Sequence, residues 1–103
     1  MINVIATVEL KEGKLQEYLT LFRKYVPHVR AENGCIEYNC TVDIQTPIPI
    51  QDPVRIDRVV IVEKWADLPA LYAHLEVPHM KEFFKEMNGI VEKTTLKILQ
   101  HAA

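Results

Sequence analysis

Residues 62–83 read VEKWADLPALYAHLEVPHMKEF, and this stretch decides the fold. An apolar strand ends at Trp65, Asp67 is an N-cap residue for a short helix, and Pro78 opens a second helix. The same stretch places an indole, a phenol and two imidazoles between Trp65 and His79. Because a strand end and a helix start hold side chains rigidly around a pocket, we expect a small-molecule site here.

The elements around this stretch follow from the spacing of the apolar residues. We predict strands over 2–10, 35–43, 56–65 and 94–101. An apolar stripe at spacings of three and four predicts a helix over 14–31, and a proline-rich loop is expected over 44–55. The order is β-α-β-β-α-β, with the second helical region in two pieces. This order predicts a ferredoxin-like α+β fold, which is an antiparallel sheet with helices on one face.

The composition is that of an ordinary globular protein. The chain has 103 residues, enough for one domain over residues 1–103, and is 49% hydrophobic and 25% charged. A formal charge of −2 without a basic cluster argues against nucleic acid or an anionic membrane as the main partner. No apolar run approaches the ~20 residues of a membrane span. The first residues indicate a strand and not a signal peptide.

The two cysteines bear on the compartment. Cys35 and Cys40 lie five positions apart in one predicted strand. An odd separation would put them on opposite faces, so we expect no disulfide between them. Reduced thiols are typical of cytosolic proteins, and we therefore expect a cytoplasmic location.

The third predicted strand favours association of two chains. Its centre, residues 59–62, is apolar on both faces, and Ile5 interrupts the polar face of the first strand. Helices with a single apolar stripe cover only one face of the sheet, and a solvated antiparallel face normally alternates cleanly. We predict a homodimer packed sheet to sheet about a two-fold axis. The alternative is an exposed face that tolerates a few apolar residues.

Taken in order, four pieces of the sequence resemble a known family. They are INV at 2–4, VPHVRAENGCIEY at 26–38, EKW at 63–65, and AH at 73–74 with PHM at 78–80. The chain resembles the antibiotic biosynthesis monooxygenase (ABM) domain family, in its quinol monooxygenase-like branch. The resemblance implies a dimeric α+β barrel with a pocket between sheet and helices in each subunit. Relatives include oxygenases that use no metal or flavin, haem-degrading enzymes and enzymes acting on signalling sugars, so the family defines the architecture better than the reaction.

Two histidines are candidates for acid–base chemistry. Oxygenation of a quinol without a cofactor requires a base to form the phenolate, and histidine suits that task near neutral pH. We predict His74 as the catalytic base, because it lies at the edge of the buried stripe; alternatively it caps its short helix. His79 and Phe83 share one helix edge and are predicted to contact substrate. A metal site would need His74, His79 and a carboxylate such as Glu76, but a spacing of five does not place both imidazoles on one helix face, and we predict no metal.

Three further residues are candidates for the site, and a fourth is expected to be structural. Trp65 is predicted to line the pocket at the strand end, although core packing is the commoner role of a lone tryptophan. Tyr72 is a predicted substrate contact within a buried stripe of residues 68, 71, 72 and 75. The family resemblance suggests Asn3 as a hydrogen-bond donor to an oxyanion of the substrate, whereas the strand pattern puts Asn3 on the face away from the helices. Glu63 is expected to be structural and paired with Lys97 or Arg58.

The resemblance, taken with these residues, implies a cofactor-independent monooxygenase that oxidises a small quinol-like aromatic with molecular oxygen. No metal, flavin or nicotinamide is expected, since the sequence has no glycine-rich phosphate loop and no cluster of ligands. One alternative is a non-oxidative isomerase acting on a small phosphorylated sugar, for which Arg55, Arg58 and Lys97 are the available cations. Another is a non-catalytic dimer that binds a small ligand.

Overall fold

The sheet has four antiparallel strands in the order β2-β3-β1-β4. The computed structural model describes all residues, 1–103. Its elements are β1 (Ile2–Leu10), α1 (Leu15–Arg30), β2 (Cys35–Thr41), β3 (Arg58–Trp65), α2 (Leu68–His74), α3 (Pro78–Glu86) and β4 (Val91–Leu99). The prediction of a ferredoxin-like α+β fold is confirmed. No helix is long and apolar enough to cross a membrane.

The core lies between one face of the sheet and the three helices. Alternate residues of β1 and β3 are buried, as period-two strands with one covered face require. They pack against the buried faces of the helices in one hydrophobic cluster of 16 residues. Trp65 and Val29 are fully enclosed in this cluster. The packing therefore gives each central strand an inner face and an outer face.

No helix covers the outer face of the sheet. On this face Ile5 of β1 pairs with Val62 of β3 and with Lys97 of β4. Val60 and Val62 are half-buried here, while Val59 and Ile61 are buried on the inner face. The prediction that the third strand is apolar on both faces is confirmed.

The last strand begins earlier than predicted. β4 starts at Val91 and not at position 94, because Val91 pairs with Leu10 beyond a bulge at Glu9 and Leu10. Glu9 pairs directly with Lys93, so opposite charges face each other across the two strands. The sequence of residues 91–93 is not a strand pattern by itself, and pairing with β1 specifies it.

The bulge in β2 corrects the prediction for the cysteines. The pairing of β2 with β3 shifts between Cys35 and Glu37, which places one extra residue in β2. As a result, Cys35 and Cys40 both pack against the core, and the expectation of opposite faces is wrong. Both are free thiols.

The buried stripe predicted for α2 is also wrong in part. Tyr72 is 58% exposed, and Leu68 and Leu75 are exposed as well. Instead, Leu71 and His74 are the buried residues of this helix. They lie three positions apart and share one face, which the seven-residue helix turns towards the sheet.

Candidate functional site

A cavity of about 100 Å³ lies between the inner face of the sheet and the helices. Thirteen of its 16 lining residues are hydrophobic. The sheet contributes Val4, Ala6, Val8 and Ile61, and the helices contribute Leu71, Met80, Phe83 and Met87. The cavity is therefore mainly apolar, with a small number of polar groups directed into it, as in most small-molecule sites.

The cavity opens beside β4. Its lining residues Leu75, Phe84, Thr94 and Leu96 are all exposed to solvent. The helices cover β1 and β3 but leave the inner side of β4 largely bare. A ligand can thus enter between the second helical region and β4.

His74 projects into this cavity from α2. The side chain of Asp67 caps the helix by accepting a hydrogen bond from the Ala70 N–H at 2.9 Å, which holds the short helix in place. The His74 residue is only 2% exposed. It lies against the indole of Trp65, with ring centroids 4.6 Å apart, and edge-on to Tyr38 at 5.5 Å. His74 is therefore deeper than the edge position expected from the sequence.

Glu32 joins the two histidines of the second helical region. Its oxygens each lie 3.0 Å from His74 Nδ1, and Oε2 lies 2.6 Å from His79 Nε2. Close packing of the turn after α1 makes this possible. Gly34 has a φ of +84°, and a Cβ added there would lie 2.6 Å from the Ala70 Cβ, so the turn rests directly on α2.

This contact determines the state of the His74 ring. An ionised carboxylate only accepts hydrogen bonds, so Nδ1 of His74 carries the proton that it donates to Glu32. Burial lowers the pKa of His74 below its usual value, although Glu32 opposes the shift. The ring is therefore neutral near pH 7, and its Nε2 has a free lone pair.

Glu63 lies on the sheet side of the same cavity. Its Oε1 accepts a hydrogen bond from the Trp65 indole N–H at 2.9 Å. The expected cation partners are absent, because Arg58 pairs with Asp43 at 3.1 Å and Lys97 lies on the outer face. Burial raises the pKa of Glu63 to about 7. The prediction that Glu63 forms an ion pair is wrong.

Two tyrosine hydroxyls add to the polar groups of the cavity, which also include Thr94 at its mouth. Tyr18 and Tyr38 line the cavity, and burial raises the pKa of both phenols, which keeps them neutral. Arg58 Nε is the one side-chain nitrogen or oxygen that is sealed from water without a hydrogen-bond partner. The two hydroxyls, Glu63 Oε2 and His74 Nε2 have no partner in the chain and are not sealed from water, so they are available to a ligand in the cavity that their residues line.

The six predicted site residues divide into three pairs. His74 and Phe83 line the cavity. Trp65 lies behind its wall and donates to Glu63, and His79 lies behind His74 on Glu32. The other two candidates, which are exposed Tyr72 on α2 and Asn3 on the outer face of β1, have no contact with the cavity.

Sequence reasoning missed four polar members of the site: Glu32, Glu63 as a cavity group, Tyr18 and Tyr38. The inward position of Glu63 in a buried strand was the available signal, since a carboxyl at such a position needs an explanation. For Glu32 there was no local signal, because its contact with His74 spans 42 residues.

The structure also bears on the metal hypothesis. Glu76, the carboxylate considered beside the two histidines, is exposed and lies 3.7 Å from Lys81 Nζ. No group of three or more His, Cys, Asp or Glu residues is arranged to hold a metal ion.

Comparison with known proteins gives a consistent result. A family model for antibiotic biosynthesis monooxygenases matches residues 1–86. The Escherichia coli (strain K12) protein named "Probable quinol monooxygenase YgiN" is 35% identical over 102 residues, which cover 97% of each chain. Among solved structures, an antibiotic biosynthesis monooxygenase superposes with a TM-score of 0.81 at 25% identity over 100% of both chains. A conserved protein from Methanosarcina mazei Go1 gives 0.80 at 25% identity, over 96% of this chain and 90% of that chain. The chain belongs to the antibiotic biosynthesis monooxygenase family.

Proposed function

We propose that this chain is a monooxygenase that oxidises a small quinol-like aromatic without a cofactor, and that His74 is its base. The observation that carries the proposal is the arrangement of the His74 ring. Its Nδ1 is held by Glu32, while its Nε2 has no partner in the chain and is not sealed from water, in a residue that lines an apolar cavity. The family membership and the quinol monooxygenase name of the 35% identical relative support the same reaction class.

The chemistry can be written without an added redox group. His74 Nε2 takes the proton of one ring hydroxyl, and the phenolate transfers one electron to O₂. The resulting superoxide and substrate radical combine into a carbon–oxygen bond. His74 then returns a proton as the O–O bond breaks, so that one oxygen atom remains on the ring and the other leaves as water. A dihydroxynaphthalene plus O₂ thus gives a hydroxynaphthoquinone plus H₂O, and the substrate supplies all four electrons.

The cavity walls suit this reaction. Apolar side chains such as Met80 and Phe83 limit the access of water, which strengthens the hydrogen bonds of the polar groups. The hydroxyls of Tyr18 and Tyr38 are free to donate to charge that develops on the substrate oxygens.

The sugar-phosphate alternative has less support. No lysine or arginine lines the cavity. Arg55 and Arg58 are paired with Glu9 and Asp43, at 3.4 and 3.1 Å. A phosphate in this cavity would therefore lack a cation, and burial of an unpaired charge is costly.

We further propose that the chain works as a homodimer through the outer face of the sheet. The half-buried residues Ile5, Val60 and Val62 of this face support the proposal, because no helix of the same chain covers them. Asn3 lies on this face, so in such a dimer it would be near the partner chain and not near the substrate.

The test uses 2-methyl-1,4-naphthohydroquinone (menadiol), with a metal chelator present throughout. We expect O₂-dependent turnover, one O₂ consumed per menadiol, and one atom of ¹⁸O from ¹⁸O₂ in the quinone product. Formation of unlabelled quinone with H₂O₂ would show plain oxidation and contradict monooxygenation. Saturable menadiol binding without any turnover in air would favour the non-catalytic ligand-binding alternative.

A further inference from the structure

We propose that Glu63 is a specificity-determining residue of this cavity, which donates a hydrogen bond to a substrate oxygen through the carboxyl oxygen that Trp65 leaves free. It would select aromatic substrates that carry an acceptor oxygen at this position over those that lack one. This inference rests on the proposed function only in placing the substrate in the same cavity.

The position of Glu63 supports a direct contact with substrate. In the register of the sheet it stands between Val4 of β1 and Tyr38 of β2, and all three residues line the cavity. Trp65 holds Oε1 at 2.9 Å and so orients the carboxyl group. Oε2 has no partner in the chain and is not sealed from water. A ligand oxygen is the partner that this geometry lacks.

The surroundings of Glu63 favour its neutral form. Its titratable neighbours are Tyr38 and Cys35 on β2, Tyr18 on α1, His74 on α2 and Glu32 beyond α1, and none of them is cationic near pH 7. The groups that α3 and β4 add to the cavity wall do not titrate. Burial and the like charge of Glu32 raise the pKa of Glu63 to about 7. Around neutrality a large fraction of the carboxyl group therefore carries an O–H donor.

The two polar groups act from different layers. His74 accepts from the helix side, and Glu63 donates from the sheet side. A ring bound between the helices and the sheet can therefore meet Glu63 only through an oxygen that accepts its hydrogen bond. A substrate without such an oxygen would leave this buried group unpaired, and sites that hydrogen-bond a substrate group discriminate strongly against analogues that lack it.

The experiment measures binding of menadione, whose two oxygens only accept hydrogen bonds, by calorimetry between pH 6.5 and 8.5. In the wild type we expect the affinity to fall by roughly 10-fold or more across this range, because the donor is lost as Glu63 ionises. The affinity of 2-methylnaphthalene, which has no oxygen, should stay constant. Glu63→Gln keeps an acceptor for Trp65 and an amide donor at every pH, so its menadione affinity should become independent of pH.

Thr94→Val is the matched control, because Thr94 is a polar cavity residue that has no carboxyl group. This variant should keep the wild-type pH dependence of menadione affinity. Three results would each overturn the proposal. They are a wild-type menadione affinity that does not change with pH, an equal pH dependence of this affinity in Glu63→Gln, and the absence of saturable menadione binding. If Glu63→Gln does not fold, the wild type alone tests the proposal. Its affinity for menadione should then fall with pH while its affinity for 2-methylnaphthalene stays constant. Because binding needs no turnover, failure of menadiol oxygenation would reject the proposed reaction and leave this result standing.

Discussion

Both oxygens of the Glu32 carboxylate lie 3.0 Å from His74 Nδ1. The contact joins the turn after α1 to the end of α2, and it fixes which nitrogen of the ring bears hydrogen. The free nitrogen then faces the cavity. Glu32 is thus a positioning residue in the proposed mechanism, since it acts on the substrate only through His74.

Glu32→Gln should disturb the tautomer of His74. An amide N–H next to Nδ1 favours the ring form with hydrogen on Nε2, and that form cannot take a proton from substrate. We expect kcat to fall by roughly 10²-fold, the usual contribution of a positioned base. Because Glu32 raises the pKa of His74, its loss should also move the acidic limb of the pH–rate profile to lower pH.

The ¹⁵N shifts of the His74 ring measure the tautomer directly. His79→Gln is the control, since it removes the second bond to Glu32 and leaves the first, and it should lower kcat only slightly. An unchanged His74 tautomer and pH profile in Glu32→Gln would show that Glu32 has only a structural role.

His74→Ala should affect both folding and turnover. The edge position expected from the sequence would imply a mild effect on stability, but the side chain is 3% exposed and is bonded to Glu32. Its removal leaves a cavity and a nearly buried carboxylate with one partner fewer, so we expect a loss of about 2 kcal/mol. For a chain of this size this corresponds to roughly 10 °C in Tm.

Turnover of menadiol should fall by roughly 10²-fold or more in the folded His74→Ala protein. His79→Ala should lower both Tm and menadiol turnover less than His74→Ala does, because the His79 side chain is 24% exposed and lies outside the cavity lining. Full activity of His74→Ala with a wild-type pH profile would remove His74 from the mechanism.

Glu63→Gln should stabilise the protein at alkaline pH. The pKa of Glu63 is raised from 4.5 in the unfolded chain to about 7 in the fold, so the native state favours the protonated form. Its contribution to stability is fully present below pH 4.5 and is lost as the pH rises through about 7. The neutral amide avoids this loss, and the gain above pH 8 should be at most ~3 kcal/mol.

Urea unfolding at pH 4.5 and pH 8.5 gives the comparison. The free energies of unfolding of the wild type and Glu63→Gln should differ little at pH 4.5. At pH 8.5 Thr94→Val should not show the added stability expected of Glu63→Gln. Equal free energies of unfolding at pH 8.5 would show that Glu63 is not held neutral by its surroundings.

Local patterns predict most of the fold because each element follows a simple periodicity. The first strand, the cap at Asp67 and the helix start at Pro78 all lie where the sequence indicates. The errors arise where pairing overrides the local pattern. Register shifts at Leu10 and beside Cys35 change the start of β4 and the faces of β2, and a bulge of one residue has no clear mark in a single sequence.

The site is predicted less completely than the fold. Phe83 lies in the helical stripe that spacing predicts, whereas His74 is identified by its residue type, since spacing puts it only at the edge of the α2 stripe. Glu32 could not be identified because tertiary packing brings it to His74 from 42 positions away. Glu63 was visible as an inward carboxyl, but its lack of a cation partner depends on the side chains of Arg58 and Lys97, which pair elsewhere or lie on the other face.

Val62→Lys should weaken the proposed dimer. Val62 lies at the centre of the outer face, opposite Ile5 of β1 and Asn39 of β2. A lysine there would put two like charges near each other across a two-fold axis and desolvate both, which disfavours association. In the monomer the same lysine can extend into water, so the fold should be retained.

Light scattering at micromolar concentration is the measurement. The wild type should give twice the 11.9 kDa mass of the chain, and Val62→Lys should shift towards a single chain. Tyr72→Lys is the control, because Tyr72 is 58% exposed on the helical side of the molecule, and it should stay dimeric. A wild-type protein that is monomeric at this concentration would contradict the dimer. If Val62→Lys and the wild type have the same dimeric mass, the outer face of the sheet is not the interface, and association must use another surface.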